Sequence, residues 1–331
     1  MNVLVTGATG AVGPRVLQAL CEADHRVRTF SLHHNPHLDV PPGVESSTGD
    51  IADSASLRRA VQDMDAVIHL AALLHIPNPS PEMDEAYERV NVRGTERVVQ
   101  AALAAGVGRI VLASTIAVYG PAKGRVLDEN SPPRPDSVYA RTKLAAEQVM
   151  LQARDRKGRA VGVVLRLGAV YGARVKGNYE RLVHALAQHR FIPIGKGLNR
   201  RTLVYDRDAG RAFAIAAAHP AAAGRLFNVT DGGIHRLADI IDAICSGLGR
   251  RPPRFSVPPA FARLTVCGVE QGSRLLGIRP LVTRETLGKY TGDIAVEGRL
   301  IRDALGFTPL YDLRTGWNEA VSEMRLLGNL K

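Results

Sequence analysis

Tyr139 and Lys143 stand four residues apart in Tyr139-Ala140-Arg141-Thr142-Lys143, at the start of a helical stretch, so the two side chains fall one turn apart on one face. A phenol is a weak base at its free pKa of about 10, and an ammonium beside it favours the phenolate. Such a pair can take a proton from an alcohol, or return one, while hydride moves at the same carbon. The same spacing also describes an ordinary solvated helix face, so its weight depends on what surrounds it. Upstream, Ile110 to Ala113 read as a strand ending in two hydroxyls, Ser114 and Thr115. Thr115 can hydrogen-bond a sugar hydroxyl or carbonyl oxygen next to Tyr139.

A second group of residues suits a dinucleotide. Val3 to Val5 read as a buried strand, Gly7, Gly10 and Gly13 follow at G-x-x-G-x-x-G spacing, and Val16, Leu17 and Leu20 recur at helical spacing. In this strand–turn–helix context Gly7 allows the tight turn, Gly10 the approach of a pyrophosphate, and Gly13 close packing of the helix. With Thr9, Ala11 and Val12 they form the expected phosphate cradle at a helix N-terminus, where unpaired N–H groups favour anions. Leu70, Ala71 and Ala72, after His69, end another strand with residues small enough for a nicotinamide ribose to lie against the backbone. Asp50, before Ile51, follows a third strand and can accept from an adenine amino group. Asn91 falls inside a helical stretch, where an amide is unfavourable, and its position suggests a bridge near Lys143.

The elements that must hold these residues alternate. Strands are predicted at 2–6, 26–30, 44–48, 66–70, 109–114 and 161–166, and helices at 12–23, 54–62, 83–105 and 137–155. Alternation of this kind gives an α/β fold, a Rossmann-type doubly wound parallel sheet with helices on both faces. Residues 1–172 are expected to form the dinucleotide-binding domain, with 202–228 returning to it. Residues 173–331 are expected to form mainly a smaller α/β substrate-binding region. Proline-rich connectors stand at Pro77, Pro79 and Pro81, at Pro132, Pro133 and Pro135, and across 252–259.

Composition narrows the classes. The 331 residues are 45% hydrophobic and 23% charged, the balance of a globular chain. Cys21, Cys245 and Cys267 are far apart, without metal-type spacing, which points to a reducing compartment; no metal is expected. The chain begins in a strand and holds no apolar run of about 18 residues, so a cytoplasmic protein without a signal peptide or membrane partner is expected. Its most apolar late stretch, Phe261 to Ile278, is interrupted by Arg263, Glu270 and Arg274. The net charge of +11 sits almost wholly in the second half: residues 173–331 hold 24 Lys and Arg against 14 Asp and Glu. An anionic small molecule and a nucleic-acid surface both fit that excess. No basic run is interleaved with aromatics, which weighs against nucleic acid.

Taken in order, Thr6-Gly7-x-x-Gly10-x-x-Gly13, Asp50, His69 to Ala72, Asn91, Ser114-Thr115-x-x-Val118-Tyr119-Gly120, Tyr139-x-x-x-Lys143 and Arg166 with Val170-Tyr171-Gly172 resemble the NAD-dependent epimerase/dehydratase family of the extended short-chain dehydrogenase/reductase superfamily. The resemblance implies a bound NAD, with NADP as the alternative. It makes Tyr139 the acid/base, has Lys143 lower its pKa and hold the ribose, and has Thr115 orient the substrate. The cofactor would be held by the glycine turn, Ser31, Asp50, Ile51, Leu70 to Ala72, Asn91, Ser114, Tyr139 and Lys143. In the second half Asn178, followed by Tyr179, falls where a nucleotide-sugar substrate is bound, and Arg201 where an Arg grips its diphosphate. Asp208 resembles an N-cap-type aspartate, and a closing helix after Gly316 is implied. Helices 83–105 and 137–155 resemble those of a four-helix homodimer interface.

Three departures refine this. Ile116 and Ala117 stand where dehydratases carry Asp-Glu, so dehydration is not expected. Ser31, followed by His33 and His34, stands where NAD-specific members carry an acid. Ala169 stands where galactose-type epimerases place an Asn. The expected activity is C4 epimerisation of a nucleotide sugar, in particular a UDP-sugar, with the alternative of an NAD(P)H-dependent 4-keto-sugar-nucleotide reductase. A hydroxysteroid-type dehydrogenase suits the cationic second half less well. A non-enzymatic sensor would not need the Tyr139/Lys143 pair.

Overall fold

The computed structural model describes residues 1–33, 40–74, 83–262, 265 and 292–330. Pro77, Pro79, Pro81, His34, Cys267 and nearly all of the Phe261–Ile278 stretch lie outside the described residues.

The first half folds as its apolar periodicity dictates. In chain order it runs β1 (Asn2–Thr6), α1 (Gly13–Glu22), β2 (Arg26–Ser31), β3 (Glu45–Thr48), α2 (Ser54–Ala60), β4 (Ala66–His69), α3 (Met83–Tyr87), a π-helical turn (Glu88–Arg93), α4 (Gly94–Ala104), β5 (Arg109–Thr115), α5 (Val138–Gln152) and β6 (Gly162–Leu167). The second half holds β7 (Ala169–Tyr171), α6 (Asn178–Ala187), β8 (Arg200–Arg201), β9 (Leu203–Tyr205), α7 (Asp206–Ala218), β10 (Leu226–Val229), β11 (His235–Arg236), α8 (Leu237–Leu248), α9 (Arg299–Leu305) and α10 (Leu313–Leu326).

A seven-stranded sheet in the order β10-β6-β5-β4-β1-β2-β3 organises the chain. Every pairing in it is parallel, with Val5 opposite Thr29 on one side and Ile68 on the other. Strand order reverses between β1 and β4, and the crevice at such a switch point is where open α/β sheets bind ligands. The two-residue strand period splits β1: Val3 and Val5 pack with Val16, Leu17 and Leu20 of α1 and Phe213 of α7, while Leu4 packs with Val98 and Ala102 of α4 and Met150 of α5. Phe213 is fully buried, worth about 1.5–3 kcal/mol over an exposed position.

A third core joins Val183 and Leu186 of α6, Ile240 and Ile244 of α8 and Trp317 and Val321 of α10 with Tyr171 and Tyr205. Two short sheets support it: β7 pairs with β9 and β11 with β8. Arg15 of α1 reaches across to this unit, meeting Asp206 at 3.2 Å and also Glu323 of α10. Burial pushes the Asp206 carboxyl up to about 6.

The structure differs from the sequence reading at three places. Helix 83–105 runs unbroken to Ala104 but is not α-helical throughout, because the π-helical turn Glu88–Arg93 widens it around Asn91. The closing helix begins at Leu313, not after Gly316, because the Asp312 carboxylate caps it by accepting from Thr315 N at 2.8 Å. Asp208 is not an N-cap. It lies inside the first turn of α7 and accepts from the N–H groups of Leu310 and Tyr311, fastening the segment that leads into α10.

Candidate active site

The crevice begins at the turn after β1. Gly7 has φ +71°, and a Cβ there would lie 2.5 Å from Ala71 N, so only glycine lets this turn touch the end of β4. Its N–H donates to Phe30 O at 2.9 Å. A Cβ on Gly13 would overlap the Ala8 carbonyl, so the close packing that Gly13 permits is against the turn itself. Around Gly10 the nearest atom to a Cβ is Gly7 O at 3.2 Å, and no further atom of the described residues beyond its chain neighbours lies within 4 Å. α1 opens with Pro14 in its first turn, no side-chain cap and no acidic residue there. No side chain of its own first turn neutralises its N-terminal dipole, and the cradle fits a dinucleotide pyrophosphate.

Behind this turn runs a chain of hydrogen bonds. Thr6 Oγ1 lies 2.7 Å from His69 Nδ1, His69 Nε2 lies 3.1 Å from Thr95 Oγ1, and the Thr95 hydroxyl donates to Asn91 O at 2.7 Å. Since the Thr95 proton is committed to a carbonyl, Nε2 carries the imidazole proton and Nδ1 accepts from Thr6. The ring is buried, and burial with the nearby Lys143 charge pushes its pKa down to about 3. His69 is thus a neutral strut between the ends of β1 and β4 and the helix beyond.

Asn91 completes the strut. Its Oδ1 accepts from Leu73 N at 2.8 Å, and its Nδ2 donates to Leu73 O at 3.2 Å and to Thr142 Oγ1 at 3.2 Å. The expected bridge therefore runs from the segment after β4 to the residue before Lys143. Tyr87 adds a second tie: its hydroxyl donates to Leu74 O at 2.8 Å, and its ring meets Tyr139 edge-on at 6.4 Å.

Tyr139 lies in the first turn of α5, behind the Ser137 cap that accepts from Ala140 N at 3.2 Å. Burial first, then Tyr87, pushes its phenol up to about 12. Lys143 is buried, its pKa pushed down to about 8 by burial against the opposing pull of Glu147. Thr115 ends β5 and accepts from Ala117 N at 3.2 Å. Ile116 beside it is buried with Val118, Tyr119 and Val296, and Ala117 has no titratable group either.

Glu147, one turn beyond Lys143, was not singled out in the sequence. It accepts from Ser114 Oγ at 2.5 Å and from Arg166 Nε at 2.9 Å and Nη2 at 2.5 Å, all buried. The guanidinium of Arg166 lies 4.6 Å from the Tyr119 ring centre, and Tyr119 donates to Asn228 Oδ1 at 2.9 Å. The signal for Glu147 was available: it continues the spacing of four that links Tyr139 and Lys143.

The remaining expected residues occupy varied settings. Ser31 Oγ, at the end of β2, is buried without a partner among the described residues. Asp50 is exposed and accepts from Ala52 N at 2.8 Å, turning its carboxylate back on its own loop. Ile51 packs against the α4 side of the sheet. Asn178 is exposed at the first position of α6. Arg201 is nearly buried, donates to the carbonyls of Arg200 and Gly292, and is close enough to Tyr179 to influence its phenol. Among the described residues no cluster of His, Cys, Asp and Glu could hold a metal.

Known proteins resemble this chain in sequence and in fold. The sequence pattern of the NAD dependent epimerase/dehydratase family matches residues 3–230. The chain is 26% identical to the N-acetyl-alpha-D-glucosaminyl-diphospho-ditrans,octacis-undecaprenol 4-epimerase of Escherichia coli O157:H7, over 95% of this chain and 92% of that one. It is 31% identical to the 2-alkyl-3-oxoalkanoate reductase of Stenotrophomonas maltophilia, over 75% and 76%. Among solved structures, MoeE5 in complex with UDP-glucose and NAD superposes with a TM-score of 0.76 at 28% identity, covering 99% of both chains.

Proposed function

The chain belongs to the NAD dependent epimerase/dehydratase family, and from that membership we propose that it is an NAD-dependent enzyme that inverts C4 of a nucleotide sugar, with a UDP-sugar as substrate. Family relatives include a sugar-diphosphate 4-epimerase and a protein that binds UDP-glucose with NAD, and both kinds of ligand suit the residues present here. NAD is held by the glycine turn, by the strand ends at Ser31, Asp50 and Leu70 to Ala72, and by Lys143. When bound, the nicotinamide supplies a hydride acceptor that becomes a donor, and its positive charge favours the Tyr139 phenolate.

The chain's own residues then do the proton chemistry. Tyr139 takes the proton of the C4 hydroxyl and later returns it to the oxygen on the inverted carbon. Thr115 donates to or accepts from the same oxygen and fixes its position. Lys143 holds the ribose hydroxyls and keeps a positive charge near the phenol. Arg201 and Asn178 receive the diphosphate and nucleotide.

The observation that carries this reading over dehydration is Ile116, buried among apolar side chains where a titrating acid would be needed, with Ala117 next to it. A second reading, an NAD(P)H-dependent 4-keto-sugar-nucleotide reductase, is favoured by Ser31, which puts no carboxylate at the end of β2. The test is to incubate the protein with UDP-glucose, UDP-galactose and their N-acetyl forms without added cofactor and to follow C4 by NMR. Inversion supports the epimerase. No inversion, with NADPH consumed on a 4-keto-6-deoxy sugar nucleotide, gives the function to the reductase.

A further inference from the structure

The segments that follow α6 and α8 run side by side on the surface of the smaller unit. Val257 N donates to Pro193 O and Gly195 N to Val257 O, both at 2.8 Å, and Ala262 packs with Ile194 and Val257 beneath. What this pair of segments turns outward is apolar: Phe255 is 85% exposed, Ile192 61%, Phe261 60% and Leu198 59%. Isolated exposed apolar residues are ordinary, but four large ones on two adjoining segments form a patch that calls for a partner.

The charge carried by these two segments has one sign. Arg190, Lys196, Arg251 and Arg254 are exposed on the same segments, and none of them forms an ion pair among the described residues. The sequence holds no Asp or Glu between Glu180 and Asp206, nor between Asp242 and Glu270. Part of the second-half positive excess therefore sits on the same two segments as the exposed phenylalanines, and those segments contribute no acid of their own.

We propose that this edge is a peripheral docking surface for a bilayer containing anionic lipid. Phenylalanine and aliphatic side chains projecting from loops enter the boundary between headgroups and acyl chains. Long basic side chains around them reach back to the phosphates. A nucleic acid would use the cations but has no reason to favour exposed Ile192 and Leu198. A protein partner has no reason to exclude every acid from two separate segments. The expectation that no membrane is involved rested on the absence of a spanning segment. Among the described residues no helix is long and apolar enough to cross a membrane, and surface docking does not require one.

The experiment is sedimentation of the full-length protein with phosphatidylcholine vesicles prepared with and without phosphatidylglycerol. Binding is expected only to vesicles that contain phosphatidylglycerol, and it should weaken with added salt. Each cation near such a surface contributes roughly fivefold in partitioning, so Arg251→Gln with Arg254→Gln lowers it about 30-fold. Phe255→Ser with Phe261→Ser also lowers it, and the binding that remains stays salt-sensitive. Turnover of a soluble substrate and the thermal midpoint stay unchanged in both variants, since none of these residues is in the site or the core. No binding to either vesicle overturns the proposal, as does binding that both variants retain. Binding of RNA in place of vesicles, lost in the arginine variant alone, assigns the face to nucleic acid and also overturns it.

Discussion

The Asn91 side chain grips the backbone of Leu73 from both sides, its Oδ1 2.8 Å from the N–H and its Nδ2 3.2 Å from the carbonyl. This contact crosses from a π-helical turn to the segment after β4 and explains why the helix widens there. π-turns concentrate where a side chain must be aimed for function. Asn91→Ala removes the partners of both half-buried Leu73 backbone groups, and about 1 kcal/mol of stability should be lost for these hydrogen bonds. Because Leu70 to Ala72, just before Leu73, are proposed to hold NAD, its affinity should fall as well. Calorimetric titration and thermal unfolding of the variant check the two effects separately.

Glu147→Gln removes the charge that holds Arg166. Breaking a buried ion pair on one side typically costs about 3–5 kcal/mol, because the other charge stays buried. A drop in denaturant midpoint of that order is expected. Glu147 is also what resists the lowering of the Lys143 pKa, so the ammonium should lose its proton at a lower pH in the variant. The pH at which NAD affinity declines should shift down with it.

His69 gives the protein an acid sensitivity of definite sign. Its folded pKa of about 3 lies below the ordinary value near 6.5. The unfolded chain therefore binds more protons between those values, and stability falls as pH drops through that window. Above it the contribution is complete. His69→Gln should cost about 1 kcal/mol near neutrality for one lost hydrogen bond, yet flatten the loss of stability between pH 6.5 and 3. Denaturant melts across that range check the slope.

Much of the fold was legible because the inner strands of the large sheet are short apolar, largely β-branched runs and the helices beside them have apolar faces. Val3 to Val5, Ala66 to His69 and Arg109 to Thr115 lie where the periodicity put them. What was not legible depends on partners far away in the chain. Glu147 matters because β5 and β6 bring Ser114 and Arg166 to it. Asp208 serves Leu310 and Tyr311, about 100 residues on, so a local capping rule could not find its role. Gly316 looks like a helix boundary in sequence but sits inside α10, where a Cβ would overlap the Tyr171 hydroxyl. The proposed chemical centre was drawn from Tyr139, Lys143 and the glycine turn in the sequence. Its supports, His69 and Tyr87, became readable only once the strands were assembled.

Tyr139→Phe keeps the ring and its edge-on contact with Tyr87 while removing the oxygen. Turnover should fall by about 10²–10⁴ with NAD still bound, the range of a positioned acid/base. Retained turnover assigns the proton transfer to another group. Lys143→Met should weaken NAD binding and abolish its decline above pH of about 8, since that decline reports the ammonium.

The central claim is that hydride leaves C4 and returns to the same carbon without escaping the site. The most direct measurement supplies the protein with UDP-glucose carrying deuterium at C4, together with an excess of unlabelled NAD in solution. The account predicts UDP-galactose with the deuterium retained at C4 and none recovered in the free nicotinamide pool. Product that has lost its label to the pool, or a label transferred with no inversion, contradicts it.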